Sequence, residues 1–412
     1  MSLFKLRGSL SKSQSLTLGL VGLVLFLLVW WLLSELLARK VPVIADYNTE
    51  LPSMVGQDSA RIAALRDSIL RADSIKVANA TEFKKIYPVL PTPLSVLLSY
   101  GEMTAVGETV TLHTGEQKNL SFGQYMGLLL SSSNQKKNLL KDDLLYNALR
   151  SIWLNVQGYF WAVFIAIPIG FLIGLLPLFR GLFSKQVDAL RYLPLTALTG
   201  LFIVWFGIED QMKIAFLAFG ILVYLLPVVV QRIDEVKDVY LKTVFTLGAT
   251  DWQTIRTVYV PSVLSKLIDD IRVLTAISWT YIIIAELINR QGGIGSMIYI
   301  KARQGEIEKV FAILIVIILI GFLQDRIFVY LDKRLFSHKY YKTSLTGIKE
   351  VLYGIFAILG CITLVAIIQP IINGLIPALS ISLGTVVSIL IIASLVIIVY
   401  GEFRLRQSTV EK

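Results

Sequence analysis

Eight stretches of this 412-residue chain stay apolar for about 16 to 26 residues each, bracketing the length that crosses about 30 Å of hydrocarbon. They lie at about 18–37, 154–178, 193–208, 214–231, 263–288, 310–331, 351–370 and 382–400. Inside lipid a backbone finds no water to bond, so runs of this kind fold as helices. Composition agrees, with 55% of residues hydrophobic and 17% charged, where soluble domains carry about a quarter charged. The expected fold class is therefore an all-α polytopic membrane protein of about eight transmembrane helices with the lipid bilayer as its solvent, and a soluble enzyme is excluded. The first run ends Leu36-Leu37-Ala38-Arg39-Lys40. It lacks the small-residue site of a cleaved signal peptide and reads as a retained anchor.

Net charge is +10, and in a chain of this kind the sign reports topology. Lys5, Arg7 and Lys12 precede the first run, and Arg180, Lys185 and Arg191 follow the second. Lys333, Arg334, Lys339, Lys342 and Lys349 follow the sixth, and Arg404, Arg406 and Lys412 end the chain. With eight spans all of these fall on one face, so both termini are expected in the cytoplasm. Arg39, Lys40, Arg290, Lys301, Arg303 and Lys309 fall on the other face. Once positive charge is assigned to topology, it no longer argues for nucleic acid. One cysteine, Cys361, and two distant histidines, His113 and His338, give no framework for a disulfide or a metal centre.

The chain divides into residues 1–40, a short tail with the first span; 41–150, an extracytoplasmic segment; 151–336, the core; and 337–412, a linker with a C-terminal hairpin of two spans. Within 41–150, apolar Ile62, Leu65, Ile69 and Ile75 predict a helix over 57–87. The polar stretch 101–124 reads as loop or short strands, with His113 a solvated loop residue. Sequons at Asn79 and Asn119 would matter only in a secretory pathway.

Between the fourth and fifth spans lies the loop KTVFTLGATDWQTIRTVYVP, residues 242–261. Gly248 suits a helix terminus better than a helix interior. Thr250-Asp251-Trp252-Gln253 is a capping box, and Pro261 suits a helix's first turn. The expectation is a short helix, a turn at Gly248-Ala249, a second short helix and a restart into the fifth span. Leu247, Trp252, Ile255 and Val258 form an apolar stripe, with Gln253 and Arg256 elsewhere.

This loop resembles the signature of bacterial ABC importer permeases, E-A-A-x3-G-x9-I-x-L-P. Gly248 is followed by nine residues and then Val258-Tyr259-Val260-Pro261, while Lys242-Thr243-Val244 stand in place of Glu-Ala-Ala. Trp205-Phe206-Gly207-Ile208, Ser278-Trp279, Ala285-Glu286-Leu287, Gly293-Ile294-Gly295 and Leu90-Pro91-Thr92-Pro93 are similar to motifs of the nitrate/sulfonate/taurine branch. The resemblance covers about 86–105 and 142–336. It implies a six-helix importer-permease core, to which 41–150 adds an N-proximal insert and the last two spans an extension. It also implies that the loop is a coupling helix seated in a separate ATPase subunit, with Gly248, Ala249, Thr250, Trp252, Arg256 and Pro261 at the contact. Further implied partners are an extracytoplasmic substrate-binding protein and a second permease subunit, identical or different, in a bacterial cytoplasmic membrane.

No Gly-Lys dipeptide occurs, so the chain has no phosphate-cradling loop of the Walker type and is not itself expected to hydrolyse ATP or bind a cofactor. Glu286 lies deep within a span and is a candidate for the translocation path; a bundle-facing pair is the equal alternative. Trp205 and Trp279 are weaker path candidates, since aromatic residues in spans more often pack. Asp269 and Arg272 read as a plain i,i+3 surface pair. A secondary transporter driven by an ion gradient and a non-transporting sensor or scaffold remain the rival readings.

Overall fold

A computed structural model describes residues 11–42, 67–68, 71, 74–75, 83–104, 109–111, 117–119, 121–130, 140, 142–289, 292–340, 347–375 and 377–410. The chain forms two compact units, Met1–Glu102 with Lys301–Ala312, and Met103–Ile300 with Ile313–Lys412.

In the first unit, helix α1 (Lys12–Leu37) starts at a Ser11–Gln14 capping box and exposes apolar side chains on nearly every side. A helix apolar all round is one whose solvent is lipid. Strand β1 (Arg39–Pro42) pairs antiparallel with β2 (Phe83–Ile86). The Leu90–Pro93 segment straps α1: Trp30 donates its indole N–H to the Pro91 carbonyl and Ser34 its hydroxyl to that of Leu90, both at 2.9 Å. Thr92 then caps α2 (Pro93–Ser99), with Pro93 in the first turn. The helix expected over 57–87 is seen at 67–68, 71 and 74–75, but its end is corrected: residues 83–86 are strand. Pairing with 39–42 overrides the local pattern there. His113 and Asn79 lie outside the described residues.

The second unit opens with a ribbon of β3 (Thr109–Thr111) and β4 (Gln117–Asn119), followed by α3 (Phe122–Leu130). Asp143 caps α4 (Leu144–Leu175) and accepts the buried Tyr125 hydroxyl at 2.8 Å. α5 (Pro177–Leu190) and α6 (Thr199–Phe206) follow, then α7 (Asp210–Asp234), α8 (Asp238–Thr246) and α9 (Asp251–Thr254). The remainder is α10 (Val260–Asn289), α11 (Ile294–Arg303), α12 (Ile307–Leu335), α13 (Ile348–Leu375) and α14 (Pro377–Val410). Among the described residues the fold is thus all-α and polytopic, with two small ribbons.

Among the described residues, six helices are long and apolar enough to cross a membrane, or seven if a bent pair counts as one span. The expected third span is that pair. It is no straight helix: α5 and the segment Leu195–Phe206 meet at 94°. Pro194 precedes a 3₁₀ turn, and Gly207, at φ 76°, ends α6 after two turns. The eighth span, expected at 382–400, lies within helical α14 and goes beyond the six or seven.

Packing in this unit is built on small residues. Gly158, Ala162, Ala166, Gly170 and Gly174 recur every fourth residue along one face of α4. A Cβ on Gly158 would meet Leu217 Cδ2 at 2.5 Å, one on Gly170 Val229 Cγ1 at 2.5 Å, and one on Gly174 Ile233 Cδ1 at 2.5 Å. The three contacts keep one constant separation in sequence, so α4 and α7 run parallel. Close backbone approach through small residues is the usual means of helix association in lipid, where the hydrophobic effect gives no preference. Two parallel helices also require the chain to return between them, and the bent α5–α6 segment is that return.

α13 and α14 form an antiparallel hairpin through glycines 347, 354 and 401. Arg334 on α12 holds Glu402 of α14 in a bidentate pair at 2.7 Å, joined by the Tyr330 hydroxyl.

Candidate functional site: the α8–α10 loop and the buried charges above it

α8 ends in a Schellman motif. The Ala249 N–H reaches back to the Val244 carbonyl at 3.1 Å and the Gly248 N–H to that of Phe245 at 3.0 Å. Gly248 sits at φ 76°, the left-handed conformation this motif demands of its glycine. Two residues on, the capping box closes: the Thr250 N–H donates to Gln253 Oε1 at 2.9 Å and the Gln253 N–H to Thr250 Oγ1 at 3.4 Å. Local sequence chemistry therefore sets the turn.

The expected restart at Pro261 does not occur. α9, a π-turn over Ile255–Tyr259 and α10 form one continuous helical segment, Asp251–Ile288. A proline inside a helix clashes with the carbonyl four residues earlier. The wider π-turn just before Pro261 absorbs that clash.

The apolar stripe divides. Val258, 8% exposed, faces inward, and Thr254 is also buried. Leu247, 80% exposed, and Trp252, 70% exposed, face outward with Phe245. Thr250, Arg256 and Pro261 are also exposed, and Ala249 is half-buried. Gly248–Trp252 thus present an uncovered apolar tip.

That tip joins α7 to α10, which run antiparallel. Near the loop, Arg232 holds Asp270 through two bonds at 2.7 Å, and Lys266 holds Glu235 at 3.1 Å. Glu235 lies beyond the end of α7, and its bonds to Arg232 and Lys266 hold its carboxyl below the ordinary carboxylate range. Midway, a Cβ on Gly220 would meet the Tyr281 ring at 2.8 Å. The expected Asp269–Arg272 pair is not made. Arg272 turns to Asp325 on α12 at 2.5 Å, while Asp269 lies 4.0 Å from Lys339. The neighbouring helix supplies a carboxylate that the fork of Arg272 reaches through two bonds. Lys339 also donates to the Ser265 carbonyl, and Tyr340 to Asp332; that bond to a carboxylate pushes the Tyr340 phenol up to about 12.

At the far end of α10, Glu286 is 0% exposed and fully engaged. Its Oε1 accepts the Ser151 hydroxyl at 2.6 Å and its Oε2 the Gly295 N–H at 2.8 Å. The Ile294 N–H donates to Ser151 Oγ at 2.9 Å and the Gly293 N–H to Asn147 Oδ1 at 2.7 Å. These bonds satisfy the orphan donors that open α11. Gly293, at φ 101°, lets the chain pass against the Glu286 carboxylate. Asn147, Arg150 and Ser151 share one face of α4 at i, i+3, i+4 spacing. Arg150 donates to both oxygens of Asp210, at 2.9 and 3.0 Å, and Lys213 Nζ lies 3.2 Å from Asp210 Oδ1. Glu286 therefore belongs to a bundle-facing charged cluster.

Trp279 is buried and donates to Gln324 Oε1 at 2.8 Å, whereas Trp205 is exposed on α6 and contacts Phe202. The structure does not bring the three path candidates together. Sequence reasoning missed Arg150, Asp210 and Lys213. With the fourth span drawn from 214, Lys213 falls just outside it, but α7 starts at Asp210 and carries Lys213 inside.

Residues 166–337 match the family described as "binding-protein-dependent transport system inner membrane component". The chain is 28% identical over 166 residues to the taurine transport system permease protein of Escherichia coli, covering 40% of this chain and 60% of that protein. It thus spans well under two thirds of that relative. It is 28% identical over 203 residues to a putative aliphatic sulfonates transport permease of Bacillus subtilis, 48% of this chain and 72% of that one. A putative ABC transporter permease of Methanocaldococcus jannaschii is 27% identical over 197 residues, 47% of this chain and 73% of the other. The solved structure of an amino acid ABC transporter with histidines aligns at TM-score 0.38 and 17% identity, over 48% of this chain and 93% of that chain. Residues 166–337 thus carry a binding-protein-dependent transport inner-membrane domain, and the chain is similar to ABC permeases, among them those named for taurine and aliphatic sulfonates.

Proposed function

We propose that the chain is the membrane-spanning subunit of an ATP-driven importer, and that Gly248–Trp252 docks on a separate ATPase subunit. The observation that carries this reading is the exposed apolar tip of Phe245, Leu247 and Trp252 on a hydrogen-bonded turn between short α8 and the long Asp251–Ile288 helical segment. Large aromatic and aliphatic anchors on a fixed scaffold are what a protein interface requires at its centre. Gly248, Ala249, Thr250, Trp252, Arg256 and Pro261 form the coupling surface.

The charge pattern supports a cytoplasmic position for this tip. Because α4 and α7 run parallel, Arg180 and Lys185, which follow α4, lie at the loop end of the bundle. The α12 end, with Lys333, Arg334 and Lys339, is tied to the base of α10 and lies there too. Both termini are then cytoplasmic in a bacterial inner membrane. Residues 41–150 face the other side and dock a substrate-binding protein, and two permease subunits, identical or different, enclose the path. The hairpin 337–412 extends the six-helix core. The names of the relatives point to a small anionic solute of the sulfonate class. In this reading ATP hydrolysis belongs to the separate ATPase subunit.

The test is co-purification with an ATP-binding-cassette ATPase and ATP-driven uptake in vesicles. Trp252→Ala should weaken ATPase association by about thirtyfold, the value of a truncated aromatic anchor, while membrane insertion stays intact. Full transport by that variant would overturn the docking surface. Uptake that persists without any ATPase would favour the ion-gradient reading.

A further inference from the structure

We infer that Arg191, at the break in the third span, is an oxyanion contact midway along the translocation path, where its guanidinium meets the sulfonate or similar group of the solute. The inference rests on the importer reading above and deepens it by naming where inside the membrane the solute is recognised.

Leu193-Pro194 builds the break. A residue before proline is driven out of the helical region, and proline offers no N–H to a continuing helix. α5 therefore tightens at its end, with the Tyr192 N–H on the Ala189 carbonyl and the Leu193 N–H on that of Leu190, both at 3.1 Å. The chain then leaves at 94° through the turn Leu195–Leu198.

Three contacts fix the depth of this break. Arg180, near the start of α5, pairs with Asp234 at the end of α7. Val187 packs with Leu226, and Leu195 lies against Gly220, where an added Cβ would stand 3.5 Å from its Cδ1. Residue numbers fall along α7 as they rise along α5, so the two run antiparallel and α5 climbs away from the loop end. Arg191 lies between Val187 and Leu195, hence between the levels of Leu226 and Gly220. At about 1.5 Å per residue those levels are about 12 and 21 Å from Asp234, which brackets the middle of the 25-residue α7.

Charge at that depth sets Arg191 apart. Its side chain is 45% exposed and that of Asp188, its partner at 2.7 Å, is 60% exposed; Tyr192 beside them is 86% exposed. Lipid tolerates neither a charged pair nor a helix break at its midplane unless protein or water covers them. The loop end of α7 is at least about two helical turns away, too far for a snorkelled head group. Dry burial would also waste the guanidinium. One of its N–H groups is bonded to Asp188 Oδ1, and no other has a partner among the described residues. Asp188 thus positions the fork and leaves outer donors for a second oxyanion, which a guanidinium takes through paired bonds. Sharing the guanidinium with Asp188 keeps that hold weak enough for the solute to leave, as passage requires. The face carrying Arg191, opposed by a second permease subunit, therefore borders water.

The experiment reads thiol modification of the full chain in membrane vesicles. Tyr192→Cys places a thiol next to Arg191, while the native Cys361 is buried and the wild-type chain gives the background. The probes are two ethyl methanethiosulfonates, one ending in a sulfonate and one in a trimethylammonium, each normalised to its rate with a small thiol in water. Both should modify Tyr192→Cys above background, the sulfonate faster by about fivefold, the value of one fixed charge about 4 Å away in water. Adding Arg191→Gln should abolish that preference, and adding Arg191→Lys should retain part of it. Absence of modification would place the break against lipid or protein and overturn the inference. A missing preference, or one that survives Arg191→Gln, would overturn it as well. If Tyr192→Cys does not reach the membrane, Thr196→Cys, exposed on the other side of Pro194, carries the same comparison. Failure of the wild-type chain to assemble with an ATPase would instead remove the importer reading, while the labelling ratio still decides whether Arg191 faces water and anions.

Discussion

Gly158→Leu should prevent the chain from accumulating as a folded membrane protein. A Cβ at 158 already overlaps Leu217 Cδ2, Cγ and Cβ at 2.5, 2.8 and 2.9 Å, and the atoms belong to a side chain that is itself fully buried. Leucine adds three further carbons where none fits, so α4 and α7 must separate along the face that carries Ala162, Ala166, Gly170 and Gly174. Overpacking of this kind costs about 3 kcal/mol or more when neighbours cannot yield. The control is Gly181→Ala on α5, where a Cβ meets nothing within 4 Å. That change should be neutral or stabilising by up to about 1 kcal/mol through helix propensity. Size-exclusion profiles of detergent extracts distinguish the two. A monodisperse Gly158→Leu protein with wild-type yield would mean that the α4–α7 contact is looser than the structure places it.

Glu286→Leu should lower stability by about 3–5 kcal/mol, the cost of removing one partner from a buried charged group. Three consequences add. The Gly295 N–H at the start of α11 loses its acceptor, the Ser151 hydroxyl loses its carboxylate, and the buried cluster keeps Arg150 and Lys213 against Asp210 alone. Glu286→Gln leaves an oxygen for the first two, so it should fold where Glu286→Leu does not. The comparison is made by thermal unfolding in detergent, where the gap should reach about 10 °C. Equal unfolding temperatures for Leu and Gln would mean that Glu286 does not hold the α10–α11 turn.

Particular residues show what could be read in advance. The turn at Gly248 and the Thr250–Gln253 box were legible because every bond in them joins residues at most five apart. The long spans were legible because lipid admits no alternative to a helix there. Pro261 was not: whether a proline restarts a helix or sits behind a π-turn depends on how α10 is held by α7 and α12. Residues 83–86 became strand because 39–42 lie beside them. The small-residue stripe on α4 stands in the sequence at every fourth position, yet the sequence does not say which helix it receives.

By itself the sequence determined the solvent of the chain, its helical class, the family signature from Gly248 to Pro261 and the chemistry of each cap. Only the tertiary structure decided that the third span is bent, that Arg272 turns from Asp269 to Asp325, and that Glu286 faces the bundle to accept from Ser151 and the Gly295 N–H. The physical reason is range. Caps, turns and hydrophobic length are settled within a few residues or by the bilayer. The partner of a buried charge is settled by helices that meet in space, and Arg232 meets Asp270 only because α7 and α10 fold back on one another across the Gly248 turn.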